Sequence, residues 1–237
     1  MFEVNLEGTR RLLEACRSEV PAPFVILLSS VAVFGPTRQL VDESQPCSPL
    51  SAYARSKLEA ERALLSEIES GALRGCVLRP CAVFGDGCPG NLALLARCIR
   101  AGVLPLVDGG QNRRSLTHVS TVVDAIQWLA ARERDVNGQV FILADDESYS
   151  IASIADWIAR AEARQPRKIP LPSALLRPAL QRLDACARYL PLRLRVPSLA
   201  AMFEAYSGSA EYSNARLRSL GFAVARPTPS VLPSTVL

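Results

Sequence analysis

Residues 24–30 (FVILLSS) constrain the fold of this chain more than any other segment: five apolar residues in succession, then two hydroxyls. The run is too short for a buried helix. A strand with one face in water alternates apolar and polar residues. A strand apolar throughout is buried on both faces, as in a parallel sheet covered by helices on each side. Residues 75–78 form a second short run of this kind. Helical periodicity surrounds both. Residues 1–17 read as an amphipathic helix with Val4, Leu12, Leu13 and Cys16 near one face. Residues 51–68 read as a long helix ended by Gly71, and 92–101 as a helix closed by Gly102. Further on, 104–107 and 114–119 look like short strands around a Gly-Gly turn. Residues 121–132 form a helix with Ser120 as N-cap, 139–144 a strand, and 151–163 a helix capped by Ser150. The alternation of strand and helix gives the fold class as α/β, with a parallel sheet. Residues 79–89 read as a loop. The pattern fades after Gln165, and the tail from Ala225 is expected to be irregular.

With 237 residues, 49% of them hydrophobic, the chain can bury one large core or two small ones. Charged residues are 21% and the net charge is +4, which excludes a disordered chain. The pI of 8.8 raises the question of nucleic acid. The arginines, however, are scattered along helices beside Glu and Asp, so they read as solvated faces and no nucleic acid is expected. Seven cysteines, none in a Cys-x-x-Cys pair, and a single histidine, His118, make no zinc set, so no metal is expected. Scattered thiols fit a reducing, cytoplasmic compartment. The N-terminus has no basic stretch followed by an apolar run, and no run nears the ~20 residues of a membrane span. Neither a signal peptide nor a membrane role is expected.

Three pieces carry chemistry. Tyr53-Ala-Arg-Ser-Lys57 places a phenol and an ammonium one helical turn apart on one face. An ammonium beside a phenol favours the phenolate, and such a tyrosine can take a proton from a hydroxyl while hydride leaves the carbon. Ser29-Ser30 ends the apolar strand, where α/β proteins open the crevice that binds ligands. Leu78-Arg79-Pro80-Cys-Ala-Val-Phe-Gly85 follows the second strand, with Asn91 beyond it. Each piece alone also has a bland reading: a chance spacing, a strand end, a turn.

In this order the pieces resemble the extended short-chain dehydrogenase/reductase superfamily, and within it the NAD-dependent epimerases and dehydratases of UDP-galactose 4-epimerase type. The resemblance extends to Asn5-Leu-Glu-Gly8-Thr9, to Gly109-Gly110-Gln-Asn-Arg-Arg114-Ser115-Leu-Thr-His118, to Asp124, and to residues 141–144 with the Ser150 helix. It implies a partial Rossmann-like doubly wound parallel sheet with a small mixed α/β C-terminal substrate lobe. The Rossmann part would take residues 1–88 and 115–145, and the lobe 89–114 and 146–237. It implies Tyr53 as general base and acid, Lys57 beside it and on the nicotinamide ribose, and Ser30 on the sugar hydroxyl. Asn5, Ser29, Tyr53, Lys57 and Pro80 would lie along the cofactor, NAD with NADP not excluded. Ser30, Asn91 and Arg114 would hold the substrate, a nucleotide sugar and most readily a UDP-sugar. Arginine suits a diphosphate because its planar fork meets two oxygens at once. Arg113 stays open between spectator and second phosphate contact, and His118 reads as packing. Relatives pair through the helix carrying Tyr53, so a homodimer is expected.

The family's glycine-rich strand–turn–helix, Gly-x-x-Gly-x-x-Gly, is missing from these 237 residues. The cluster Gly85-Asp-Gly87-Cys-Pro-Gly90 follows Pro80 and does not open an N-terminal strand–turn–helix unit. The resemblance therefore leaves the first four strands unaccounted for. A start at an internal methionine of a longer protein and a truncated gene product are the favoured explanations, with strands supplied by another polypeptide behind them. The expected activity is a nucleotide-sugar 4-epimerase working through a transient keto sugar. A silent fragment that binds a nucleotide sugar or a partner is the alternative. A reductase or dehydratase of the same superfamily is the further one. The dehydratase is disfavoured because Val31-Ala32 stand where an acidic pair would flank Ser30.

Overall fold

The computed structural model describes residues 2–37, 39–87, 91–187 and 198–232, without the side chains at 91, 186, 187, 201, 202 and 205. A π-helical turn, Glu3–Glu7, leads into α1 (Gly8–Ser18). Then follow β1 (Phe24–Leu28), a 3-10 turn Val31–Phe34, α2 (Ala52–Glu69), β2 (Arg74–Pro80) and β3 (Ala82–Phe84). Next come α3 (Asn91–Arg100), β4 (Val103–Val107), β5 (Arg113–His118), α4 (Val119–Ala130), α5 (Glu133–Val136) and β6 (Val140–Leu143). The remainder is β7 (Ser148–Ser150), α6 (Ile151–Ala161), β8 (Arg167–Leu171), α7 (Ser173–Ala187), α8 (Leu199–Ser207), α9 (Ala215–Ser219) and α10 (Thr228–Val231). No helix among the described residues is long and apolar enough to cross a membrane.

The fold is α/β with parallel strands. The central sheet has the order β1-β2-β6, both pairs parallel, and helices cover each face. Leu13 of α1 and Leu64 of α2 pack on one side with Val77. Val122 and Leu129 of α4, with Leu217 and Phe222, pack on the other with Leu78 and Phe141. The strand that behaves as fully buried is β2, whose residues from Gly75 to Pro80 are all buried. The more apolar β1 is only half-buried, with Leu28 42% exposed, because among the described residues it pairs with β2 alone. Burial in a parallel sheet needs a neighbour on both edges, and apolarity does not supply one. The two strands lie so close that a Cβ on Gly75 would stand 2.3 Å from the Val25 carbonyl oxygen.

Two smaller sheets, β3-β5-β7 and the parallel pair β4-β8, enclose a separate cluster with α3 and α6, built on Phe84, Leu95, Ile99, Leu116 and Ile154. Several expectations need correction here. The loop 79–89 contains β3, which pairs in parallel with β5. The N-cap of α4 is His118, whose Nδ1 accepts from the Ser120 N–H, and not Ser120. The stretch after Gln165, where the pattern fades, contains β8 and α7, and within the tail Thr228–Val231 forms α10, with Thr228 and Leu232 buried. In the N-terminal helix, Val4 and Leu12 are exposed, and the buried side chains are Leu6 and Leu13. A π turn advances fewer degrees per residue than an α turn, so the phase read at 3.6 residues per turn is shifted.

Cys76, at the centre of β2, is buried without access to water, and burial pushes its thiol up to about 12. The unfolded chain releases that proton near pH 9 and the folded one holds it, so the folded state binds more protons above pH 9 and stability falls as pH rises from there toward 12. The expected result is that Cys76→Val flattens the alkaline limb of a melting-temperature profile. An unchanged slope would assign that limb to other groups.

Candidate active site

Ser51 fixes the start of α2: its hydroxyl accepts from the Ala54 N–H at 3.0 Å. Tyr53 therefore lies in the first turn and Lys57 in the second. The Lys57 ammonium donates to the carbonyl of Leu28, the last residue of β1, at 2.9 Å, and sits 6.0 Å from the centre of the Tyr53 ring. Burial holds Lys57 below the ordinary lysine value, against the opposite pull of the Glu61 carboxylate one turn further along. Tyr53 is 37% exposed and its hydroxyl has no hydrogen bond among the described residues. Asn5 is tied to the same turn: its amide donates to Ser56 Oγ at 3.0 Å, and Ser56 Oγ donates to the Tyr53 carbonyl at 2.8 Å.

Beyond β1 the two serines part company. The Ser29 hydroxyl turns inward and donates to the Glu61 carboxylate, which also receives the Arg79 guanidinium at 3.0 and 2.6 Å. Glu61 is 1% exposed, and Arg79 stacks 4.8 Å from the Phe34 ring. This buried ion pair ties α2, which carries Tyr53 and Lys57, to β2. Ser30 opens the 3-10 turn, its Oγ accepting from the Ala32 N–H at 3.2 Å, and it lines a cavity of about 310 Å³. Gly35 closes that turn at φ 74°, where a Cβ would stand 2.3 Å from the Ser48 carbonyl oxygen.

Arg114 of β5 lines the same cavity. Its guanidinium donates to the Tyr206 carbonyl at 2.8 Å, and burial pushes its pKa down from the usual arginine value. Arg113, the next residue on the strand, goes the other way: it meets Ser148 at 3.0 Å and pairs with Glu211 at 3.1 Å on the exposed side. Pro80 is buried at the end of β2, opposite Leu143. His118 is a helix cap with its ring 5.2 Å from Phe84, and Asp124 pairs with Arg226 at 3.0 Å. The Asn91 side chain, Cys88 and Gly90 lie outside the described residues. Gly85 and Gly87, the described glycines of that cluster, lie in the chain between β3 and α3.

Asn5, Ser29, Tyr53 and Lys57 thus gather around the end of β1 and the first turns of α2, and Ser30 joins them to the cavity that Arg114 shares. Sequence reasoning missed Glu61 and its partner Arg79. Glu61 follows Tyr53 and Lys57 at the same spacing of four, which puts all three on one helical face. A carboxylate on a buried face needs a cation, and that signal was available.

Over 129 residues the chain is 31% identical to the N-acetyl-alpha-D-glucosaminyl-diphospho-ditrans,octacis-undecaprenol 4-epimerase of Escherichia coli O157:H7; the match takes in 54% of this chain and 39% of that enzyme. Among solved structures it resembles the UDP-glucose 4-epimerase of Thermus thermophilus in complex with NAD, with a TM-score of 0.69 and 21% identity, covering 99% of this chain and 69% of that one. It also resembles the dTDP-glucose 4,6-dehydratase of Bacillus anthracis in complex with NAD, with a TM-score of 0.71 and 18% identity, covering 99% and 67%. At these identities the solved structures speak for the fold. The chain spans about two-fifths of the length of the first curated relatives it matches, 39% and 44%. Residues 1–144 match the model of the NAD dependent epimerase/dehydratase family, and the chain belongs to that family.

Proposed function

We propose that this chain carries the proton-transfer and substrate-binding part of an NAD(P)-dependent nucleotide-sugar epimerase that inverts C4 through a transient keto sugar. The observation that carries the reading is Tyr53 and Lys57 on the first turns of α2, with Lys57 bonded to the carbonyl that ends β1, and Ser30, two residues on from that carbonyl, in the wall of a cavity that also holds Arg114. The residues present fit the nicotinamide end of a dinucleotide. Lys57 spends one of its three N–H donors on Leu28, leaving two for a ribose diol. Bound there, the dinucleotide supplies the hydride acceptor and, in reverse, the donor.

The chain's own residues do the rest. The Ser30 hydroxyl orients the C4 hydroxyl. Tyr53 takes the proton from that oxygen as hydride leaves C4, and the oxygen becomes a ketone. After the ring presents its other face, hydride returns to C4 and Tyr53 gives the proton back. Lys57 places its ammonium 6.0 Å from the centre of the Tyr53 ring. Arg114 holds the diphosphate, and Val31 and Ala32 beside Ser30 offer no acid for eliminating water, which favours epimerase over dehydratase.

The test is inversion at C4 of UDP-glucose by the protein with NAD+, followed by proton NMR. Inversion without net NADH is the expected result. Equimolar NADH with the C4 configuration lost as ketone would replace the reading by a dehydrogenase. Arg114→Ala is expected to raise KM about 10- to 100-fold with kcat held within about threefold, because the diphosphate is bound alike in ground and transition states. A fall in kcat with KM unchanged would take Arg114 off the diphosphate.

A further inference from the structure

Asp145, just beyond β6, is a second carboxylate sealed inside this chain, and unlike Glu61 it has no arginine or lysine paired with it among the described residues. Two neutral donors serve it instead. The Thr228 N–H and the Tyr149 hydroxyl donate to the same oxygen, Oδ2, at 2.6 and 3.0 Å. Oδ1 is buried and has no hydrogen bond among the described residues. The charged and titratable groups of the neighbouring elements do not supply a cation. Asp146 and Glu147 follow it in the chain and carry its own sign. Asp146 is met by Arg218 at 3.6 Å and by the Asn214 amide at 2.7 Å. At the end of β2, burial, with Asp145 nearby, holds the Cys81 thiol well above the ordinary thiol range. Nδ1 of His118 on β5 is taken by Ser120, and Arg226 pairs with Asp124 of α4 on the surface. Burial outweighs the two donors and holds the Asp145 carboxyl above its ordinary range.

What Asp145 fastens is the C-terminal segment. Val231 and Leu232 pack in the cluster of Leu95, Leu116 and Ile151, three residues that also line the cavity. Tyr149, the second donor, stands opposite Arg114 across the β5–β7 pairing. One buried carboxyl therefore ties residues 226–232 to the elements behind the cavity wall.

We propose that Asp145 is a proton-sensitive latch, which holds residues 226–232 against the back of the cavity wall while it is protonated and loosens them when it ionises. A proton on Oδ1 leaves Oδ2 a carbonyl oxygen that accepts from both donors, and no charge is buried. Ionisation leaves a buried charge with one oxygen bare, and releasing the segment returns that charge to water. With the segment released, the carboxyl titrates in its ordinary range; with the segment docked, it titrates above that range. Docking is at full strength below the ordinary value. It weakens by up to about tenfold per pH unit as pH rises from there through the docked value, and is constant beyond. The latch acts in the free protein and does not depend on the reaction.

Trp157 reports the change. Its ring meets Tyr149 edge-on with centres 5.2 Å apart, and Trp128→Phe leaves it as the single tryptophan of the full chain. In that background the Trp157 emission is expected to shift to the red in one step as pH rises, above the ordinary carboxylate range. Asp145→Asn should abolish the step and keep the low-pH emission, because the amide is neutral at every pH and its oxygen still accepts from Thr228. Tyr149→Phe should move the step upward, because it removes a donor that favours the ionised form. Amide exchange at about pH 8, where intrinsic rates are alike for both proteins, reads the segment itself: residues 228–232 should exchange about tenfold more slowly in Asp145→Asn than in the natural chain. Equal or faster exchange in Asp145→Asn, an emission with no step, or a step that survives the substitution would each overturn the latch. If Asp145→Asn does not fold, a step that Tyr149→Phe leaves in place overturns it, and one that moves upward supports it.

Discussion

Tyr53→Phe is expected to lower turnover about 10²- to 10⁴-fold while leaving the affinity for nucleotide sugar within about threefold. The substitution removes one oxygen. That oxygen has no hydrogen bond among the described residues and belongs to a side chain that is 37% exposed, so its loss is expected to change stability by less than about 0.5 kcal/mol. A merely structural tyrosine would show the opposite pattern, with a lower melting temperature and turnover intact. The pH profile supplies a second readout. Burial lowers the Lys57 pKa from 10.5, so its ammonium is present below the lowered value and lost as pH rises through it. The alkaline limb of kcat should therefore begin below the ordinary lysine range. Lys57→Arg should move that limb upward, because a guanidinium does not titrate there. A Tyr53→Phe variant that keeps more than a tenth of its turnover would remove Tyr53 from the proton transfer.

The parts of this site that are legible in the sequence are those whose chemistry is local. Tyr53 and Lys57 lie one turn apart in any helix, and Ser51 caps that helix from the adjacent position. Ser29 and Ser30 end a strand whose apolar run is visible without partners. What sequence could not assign was the direction of each side chain. The two serines are neighbours of the same type, yet one is taken by Glu61 and the other lines the cavity, because successive strand-end residues point to opposite sides. The same alternation separates Arg113 from Arg114 on β5. The elements that escaped notice carry contrary punctuation. Strand β8 (RKIPL) is mostly exposed and includes Pro170, which is tolerated because a two-stranded sheet is all edge. Pro178 lies inside α7, where a proline ordinarily argues against a helix. Strand β7 is a three-residue strand, short enough for its antiparallel pairing with β5 to be set wholly by the neighbour.

Removing the Glu61 charge should have the largest effect on stability. Glu61 and Arg79 are 1% and 6% exposed and joined by two hydrogen bonds, so Glu61→Gln leaves a guanidinium buried without its counter-ion and Ser29 without its charged acceptor. Breaking one side of such a pair costs about 3–5 kcal/mol, which in a chain of this size lowers the melting temperature by roughly 6–20 °C. Replacing both partners, in Glu61→Leu/Arg79→Met, should recover most of that loss, because the penalty lies in the orphaned charge and the attraction between the two barely exceeds their desolvation. A fall of under about 2 °C in Glu61→Gln would mean that water reaches Arg79. The double variant also separates stability from chemistry. Glu61 is the charge that raises the Lys57 pKa against burial, so without it the Lys57 ammonium is lost at a still lower pH. The double variant is therefore expected to melt near the natural chain and yet to lose turnover earlier as pH rises. If its alkaline limb stays where it was, the pair serves only to lock α2 onto β2. If the limb moves down, the same carboxylate that anchors the helix also keeps the lysine beside Tyr53 charged.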